Sequence, residues 1–306
     1  MDRFSEDDVR RLLSMKEAIA QLHVAFTDFA AGHAQNHPRR RLTLQTGSVL
    51  HSLAGACGNY FGTKVYSTHP EFGANFTLLL YDAKTARPLA QFEADWLGQI
   101  RTGAVSGLAA DILAPRKDLI VGCIGTGFQA RGQLEALATV RSLSAVRVWS
   151  RHQEKRDKFA REMTEILGLP VVAPATVGDT VSMADVLITA TWAKDPVIDE
   201  AAVPEGCLVL AVGSNNPQRR ELPAELVRRS FVIVDDKEAC RIEAGDLLLA
   251  FNPEHWDAAV DLKNVVSDPS ATLARQGKTA IFKSVGLGLE DVAVASYVYE
   301  RANPAR

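Results

Sequence analysis

Residues 119–130 read LIVGCIGTGFQA: a short, continuous apolar run, then Gly125-Thr126-Gly127-Phe128-Gln129-Ala130, a G-x-G-x-x-A loop. The loop opens directly into FQARGQLEALATV, whose pattern predicts a helix over residues 128–140. A strand, a glycine turn and a helix in that order form the context in which such a hexamer binds a dinucleotide. Gly125 permits the tight turn, and Gly127 lets the backbone approach a pyrophosphate. Ala130 keeps the helix close to the sheet, and the helix N-terminus offers free N–H groups to the anion. All six loop residues are therefore candidate cofactor contacts.

Downstream, apolar runs alternate with helical stretches: 145–150 (AVRVWS), 154–167 (EKRDKFAREMTEIL), 184–191 (ADVLITAT), 207–214 (CLVLAVGS) and 231–236 (FVIVDD). Alternation of this kind predicts an α/β fold with a Rossmann-type doubly wound parallel sheet. Ligands of such sheets sit beyond the carboxyl ends of the strands. This makes Thr189, Thr191, Val212 and Gly213 further cofactor candidates, with Ser214 beside them. Thr191 or Ser214 could equally be an ordinary loop cap. The run at 145–150 ends in Ser150, with Arg151 and His152 next, where an NAD enzyme carries an acid for the ribose hydroxyls. Without that acid, and with an arginine whose fork fits a phosphate, the expected cofactor is NADPH, with NADH possible. The bland alternative is a solvated basic helix start.

Upstream the pattern differs. Residues 5–32 show mostly helical spacing with Ser5 as an N-cap, and MKEAIAQLHVAF (15–26) is expected as the main helix, ending at Gly32. Strand-like pieces follow at 41–45, 48–55, 60–68, 75–83 and 89–95, the last two forming a hairpin. Residues 96–114, WLGQIRTGAVSGLAADILA, predict a tightly packed helix closed by Pro115. A chain of 306 residues allows about two domains on a prior of ~150 each. The expected division is 115–287 for the nucleotide-binding domain and 1–114 plus 288–306 for a second α/β domain.

Composition narrows the function. With 34 Lys+Arg against 37 Asp+Glu, the net charge of -3 argues against a nucleic-acid partner. No apolar run approaches the ~20 residues of a membrane span, and the charged N-terminus lacks a secretory core. Cys57, Cys123, Cys207 and Cys240 show no metal-binding or disulfide spacing. A cytoplasmic, metal-free protein with reduced thiols is expected.

Five stretches together resemble the ornithine cyclodeaminase/μ-crystallin family: GTKVYSTHP (62–70), LLLYDAKTARPLA (78–90), IRTGAVSGLAA (100–110), VGCIGTGFQARGQLEAL (121–137) and IFKSVGLGLEDVAVASYVYERA (281–302). The resemblance implies a homodimer whose first domain, joined by the C-terminal helix, contacts a small α-imino or α-amino acid. By the same resemblance Arg101 and Arg40 bind the substrate carboxylate, Arg40 competing for register with Arg39 and Arg41. Lys64 binds the carboxylate or supplies a proton, and Ser284 lies near the nicotinamide. Taken alone, Lys64 would read as a surface residue and Arg101 as a snorkelling one. His51, Tyr66 and His69 read as core or surface residues, and Asp291 as a plain helix-start residue.

Asn215 departs from the family's cyclodeaminases, which carry an aspartate base at that turn. An amide cannot accept a proton near neutral pH, although it can hydrogen-bond a substrate nitrogen. The expectation is therefore reduction of a cyclic ketimine, Δ1-pyrroline-2-carboxylate to proline, with Lys64 and Asn215 as the catalytic candidates. Ornithine cyclodeamination, an alanine-type dehydrogenase and a non-catalytic NADPH-binding protein are the competing readings.

Overall fold

Two serine caps break the N-terminal helical stretch. After strand β1 (Asp2–Phe4), Ser5 caps α1 (Glu6–Leu12) and Ser14 caps α2 (Met15–Ala30), each in a reciprocal capping box with the acid three residues on. The main helix begins at Met15 as expected, and the helical spacing before it forms a separate short helix, because Ser14 with Glu17 starts α2 on its own. The computed structural model describes residues 1–304. They divide into two units, Met1–Val105 with Gly286–Arg306, and Ser106–Val285.

In the first unit, β2 (Gln35–Thr43), β3 (Val49–Cys57), β4 (Tyr60–His69), β5 (Gly73–Asp82) and β6 (Pro88–Glu93) form an antiparallel meander. β1 adds in parallel to β6, giving the order β1-β6-β5-β4-β3-β2. Period-two alternation buries Leu53, Leu78, Leu80 and Phe92 on one face, where the C-terminal helix and α2 pack. The strand expected at 41–45 begins earlier, at Gln35, and runs through Pro38. Proline has no N–H for the ladder, and the β2–β3 register shifts between His37 and Arg40. That shift decides which arginine turns inward.

Helix α3 (Asp95–Leu113) follows, with residues 97–110 all buried. Its small side chains allow packing on every side. The compact units divide inside this helix, after Val105, and the composition change near Arg116 follows its end.

The second unit is a parallel sheet. β7 (Asp118–Ile124), α4 (Phe128–Val140), β8 (Ser142–Trp149), α5 (Gln153–Leu167), β9 (Val171–Val172), α6 (Val177–Val181) and β10 (Val186–Thr189) make its first half. β11 (Leu208–Ala211), α7 (Ala224–Arg229), β12 (Phe231–Val234) and the short helices α8 (Lys237–Glu243), α9 (Gly245–Leu248) and α10 (Pro253–Ala258) continue it. β13 (Val260–Asp261), α11 (Leu262–Ser267) and β14 (Ala280–Lys283) complete it, before α12 (Gly288–Ala302) returns to the first unit. The strand order is β13-β12-β14-β11-β10-β7-β8-β9. Strands β10, β11, β12 and β14 are buried at every residue, as a sheet covered on both faces requires. The two-residue edge strands β9 and β13 leave too short a pattern to be read from sequence. All four cysteines are free and buried.

Candidate active site

Alternation along β4 turns Gly62, Lys64 and Tyr66 to the buried face, with Lys64 between Leu53 on β3 and Leu78 on β5. A lysine there needs a counter-charge. It comes from the first turn of α12, where Glu290 and Asp291 are fully buried. The helix start is pressed on β3, since a Cβ on Gly55 would lie 2.3 Å from the Leu289 nitrogen. Lys64 Nζ donates to Asp291 Oδ1 at 2.6 Å. Arg101, from α3, donates through Nε to the same oxygen at 3.0 Å and through Nη1 to Glu290 Oε2 at 2.8 Å.

Burial pushes Lys64 down to about 8, with the neighbouring Arg101 adding to the effect and Asp291 opposing it. Burial also works against the charge on Arg101, but Asp291 and Glu290 outweigh it and its pKa is raised. Arg39 completes the cluster: it is buried, and its Nη2 donates to the Gly286 carbonyl at 3.3 Å. The arginine expected here, Arg40, is exposed on the other face of β2. His51 stacks on Tyr66 at 4.2 Å, and Tyr66 on Phe76 at 4.7 Å. Burial, with Arg41 and Arg39 nearby, pushes His51 down to about 4, so the ring is neutral. Asp291 stands in the first turn of α12, as expected of a helix-start residue, and is also the buried hub of an ion cluster.

The second unit presents the glycine loop at the carboxyl end of β7. Gly125 has φ of +115°, and a Cβ there would lie 2.4 Å from the Ala190 carbonyl oxygen, so only glycine fits. The far side of Gly127 is open, with nothing within 4 Å of an added Cβ. Gly127 caps α4 without a side-chain bond, and Gln129 Oε1 is buried with no hydrogen-bond partner among the described residues. A helix N-terminus behind an open glycine fits a pyrophosphate. Thr126 Oγ1 donates to Ser150 Oγ at 3.0 Å, joining the loop to the end of β8. Phe128 and Arg151 are exposed.

Thr189, Thr191 and Gly213 converge on an acid that the sequence reading passed over. Glu221 Oε2 accepts from Thr189 Oγ1 at 3.0 Å and from the Gly213 nitrogen at 2.8 Å. Its Oε1 accepts from the Thr191 nitrogen at 2.6 Å and from Thr191 Oγ1 at 2.7 Å. Val212 N–H donates to the Thr189 carbonyl at 3.0 Å. Behind Glu221, Asp246 accepts from the Glu221 nitrogen at 2.6 Å and pairs with Lys283 at 2.9 Å. Burial and Asp246 raise the Glu221 pKa, with Lys283 opposing them. Lys283 also donates to the Ser214 carbonyl at 2.6 Å, fixing the turn that carries the half-buried Asn215. Ser284 Oγ donates to Asp235 Oδ2 at 2.9 Å.

Lys64, Arg101 and Arg39 thus meet in the first unit, while Asn215, Ser284 and the glycine loop belong to the second. The sequence carries one partial signal for the buried acids: Glu290 and Asp291 are the only charged residues in α12 before Glu300, although their partners are not encoded locally. Among the described residues no group of His, Cys, Asp or Glu is placed to hold a metal ion, and no helix is long and apolar enough to cross a membrane.

The chain is 34% identical to a Δ1-pyrroline-2-carboxylate reductase of Bacillus cereus, over 97% of this chain and 95% of the relative. Its fold matches that of Thermococcus litoralis Δ1-pyrroline-2-carboxylate reductase in complex with NADH and L-proline. That match has a TM-score of 0.91 and 31% identity, over 99% of this chain and 97% of that one. An archaeal alanine dehydrogenase dimer with bound NAD matches with a TM-score of 0.89 and 29% identity, over 99% and 96% of the two chains. The family model for ornithine cyclodeaminases and mu-crystallins matches residues 3–305, and the chain belongs to the ornithine cyclodeaminase/mu-crystallin family.

Proposed function

We propose that this protein is an oxidoreductase that reduces a small cyclic ketimine carboxylate, Δ1-pyrroline-2-carboxylate, to proline with a reduced nicotinamide dinucleotide. The observation that carries the reading is a charge balance. Five buried side chains meet in the first unit, and Arg39, Lys64 and Arg101 are positive whereas Glu290 and Asp291 are negative. One substrate carboxylate makes the group neutral, and a second charged group on the substrate has no counterpart there. A cyclic imino acid meets that requirement, and the substrate named for the two reductases similar to this chain is one.

The loop of residues 125–130 would hold the dinucleotide, whose chemistry would be hydride supply to the imine carbon. Arg101 and Arg39 fix the adjacent carboxylate, Arg101 through a planar fork that sets orientation as well as charge. As the C=N π pair moves to nitrogen, the Lys64 ammonium donates the proton that completes the amine. A donor with a pKa of about 8 is well matched to that task at neutral pH. Asn215 hydrogen-bonds the substrate nitrogen. Because its amide is not a base, it favours reduction over ornithine cyclodeamination. Ser150 and Arg151, in place of an acid at the end of β8, favour NADPH.

The working form is a homodimer, as in the archaeal alanine dehydrogenase. The outer face of the six-stranded sheet, with half-buried Ala54, Phe61, Val65 and Leu79, suits such a contact. The buried, unpaired cysteines accord with a reducing, cytoplasmic compartment.

Arg101→Lys tests the reading, because it keeps the charge and removes the fork. The KM for the imine should rise about tenfold or more, the scale of a lost charged hydrogen bond, with NADPH affinity unchanged. An unchanged KM would place the carboxylate elsewhere.

A further inference from the structure

Two buried acids in the substrate cluster take no part in the steps above: neither Glu290 nor Asp291 delivers the hydride or the proton. Buried carboxylates persist where they are paired, and these two are paired with the cations that meet the substrate. Asp291 Oδ1 is shared, accepting from Lys64 Nζ at 2.6 Å and Arg101 Nε at 3.0 Å, so one atom fixes the spacing of two cations. Its other oxygen has no hydrogen-bond partner among the described residues. Glu290 braces the outer side of Arg101 at 2.8 Å and accepts from the Leu287 nitrogen at 3.3 Å, which locks it to the helix start.

We infer that Asp291 is a positioning residue for the reduction: it aims the Lys64 ammonium and holds Arg101 at a fixed distance from it, with Glu290 as the brace. The inference rests on the reductase reading above. The charged groups acting on Lys64 are Arg101 from α3, Asp291 from α12 and Arg39 from β2. Glu290 and Tyr66 act on Arg101, and the neutral His51 lies among the β2 arginines. Asp291 is therefore the anion in direct contact with Lys64, set against two cations that disfavour its charge. Without it the ammonium loses both its aim and its counter-charge.

Asp291→Asn keeps the shape and removes the charge. Lys64 is followed in the cofactor-free protein by NMR of 13Cε-labelled lysine, its signal assigned with Lys64→Arg. The wild-type midpoint is expected at about 8. In Asp291→Asn it falls by about one pH unit or more, because loss of an anion disfavours the protonated amine. The alkaline limb of kcat, where activity is lost as Lys64 deprotonates, moves down with it. At pH 8 the shift alone lowers kcat about fivefold, while KM for the imine changes less. Asp291→Glu, which restores the charge, returns the limb toward its wild-type position.

An Asp291→Asn protein that folds with the Lys64 midpoint and the limb unmoved would overturn the inference. If that variant does not fold, Asp291→Glu decides: it keeps the charge but moves the carboxylate, so its plateau kcat should fall severalfold, and a plateau kcat equal to wild type would overturn the positioning role. Failure of the wild type to reduce the imine would strike the reductase reading alone, because the Lys64 titration needs no turnover.

Discussion

Gly286 and Arg101 are in such close contact that one added methyl group displaces the arginine: a Cβ on Gly286 would lie 2.4 Å from Nη1 and 2.9 Å from Nη2. Gly286 also has φ of +79°, and its carbonyl accepts from Arg39 Nη2. One glycine therefore sets the places of both arginines. Gly286→Ala should cost about 1–2 kcal/mol of stability from strained backbone and crowding. It should also raise the KM for the imine about tenfold or more by tilting the Arg101 fork. Thermal unfolding and steady-state kinetics on one preparation check both effects.

Arg39 and Arg40 are neighbours in sequence with opposite fates. Arg39 is buried against Gly286, and Arg40 is exposed. Arg39→Ala should raise the KM for the imine about tenfold or more, the scale of a lost charged hydrogen bond. Arg40→Ala should leave it within about twofold, as surface substitutions do. The reverse order in kinetics would return the role to Arg40.

In the proposed reading, Arg151 decides between the two dinucleotides. Arg151→Ala should weaken NADPH about tenfold or more, through loss of a charged contact to the 2′-phosphate. NADH, which lacks that phosphate, should change little. Equal weakening of both in a fluorescence titration would remove the 2′-phosphate assignment.

Glu221 gathers Thr189, Thr191 and Gly213 at the strand ends and is backed by Asp246 and Lys283. Glu221→Ala leaves those donors without a partner and Asp246 with an altered neighbour. A loss of about 3–5 kcal/mol in urea unfolding is expected, with cofactor binding falling in the protein that remains folded. A loss below about 1 kcal/mol would mean that water replaces the carboxylate.

Much of this was legible in the chain because it is written in local patterns. The strand, glycine loop and helix of residues 119–140 announce the nucleotide-binding unit, and alternation in 48–95 announces the antiparallel sheet. Lys64 and Arg101 were legible only through the family's motifs, since neither a strand lysine nor a helix arginine shows its burial in sequence. Arg39 was obscured by Pro38, whose missing N–H shifts the β2 register and with it the face each arginine takes. Glu221, Glu290 and Asp291 were hidden for a different reason. Their roles depend on partners 8 to 227 residues away, a separation that periodicity does not encode.

The most direct test is to supply purified protein with NADPH and Δ1-pyrroline-2-carboxylate, follow cofactor oxidation, and identify the product, with ornithine and NAD alongside. The account predicts NADPH oxidation with stoichiometric proline and no ammonia from ornithine. No oxidation with the imine, together with ammonia release from ornithine, would contradict it and make the protein a cyclodeaminase that works without an aspartate at Asn215.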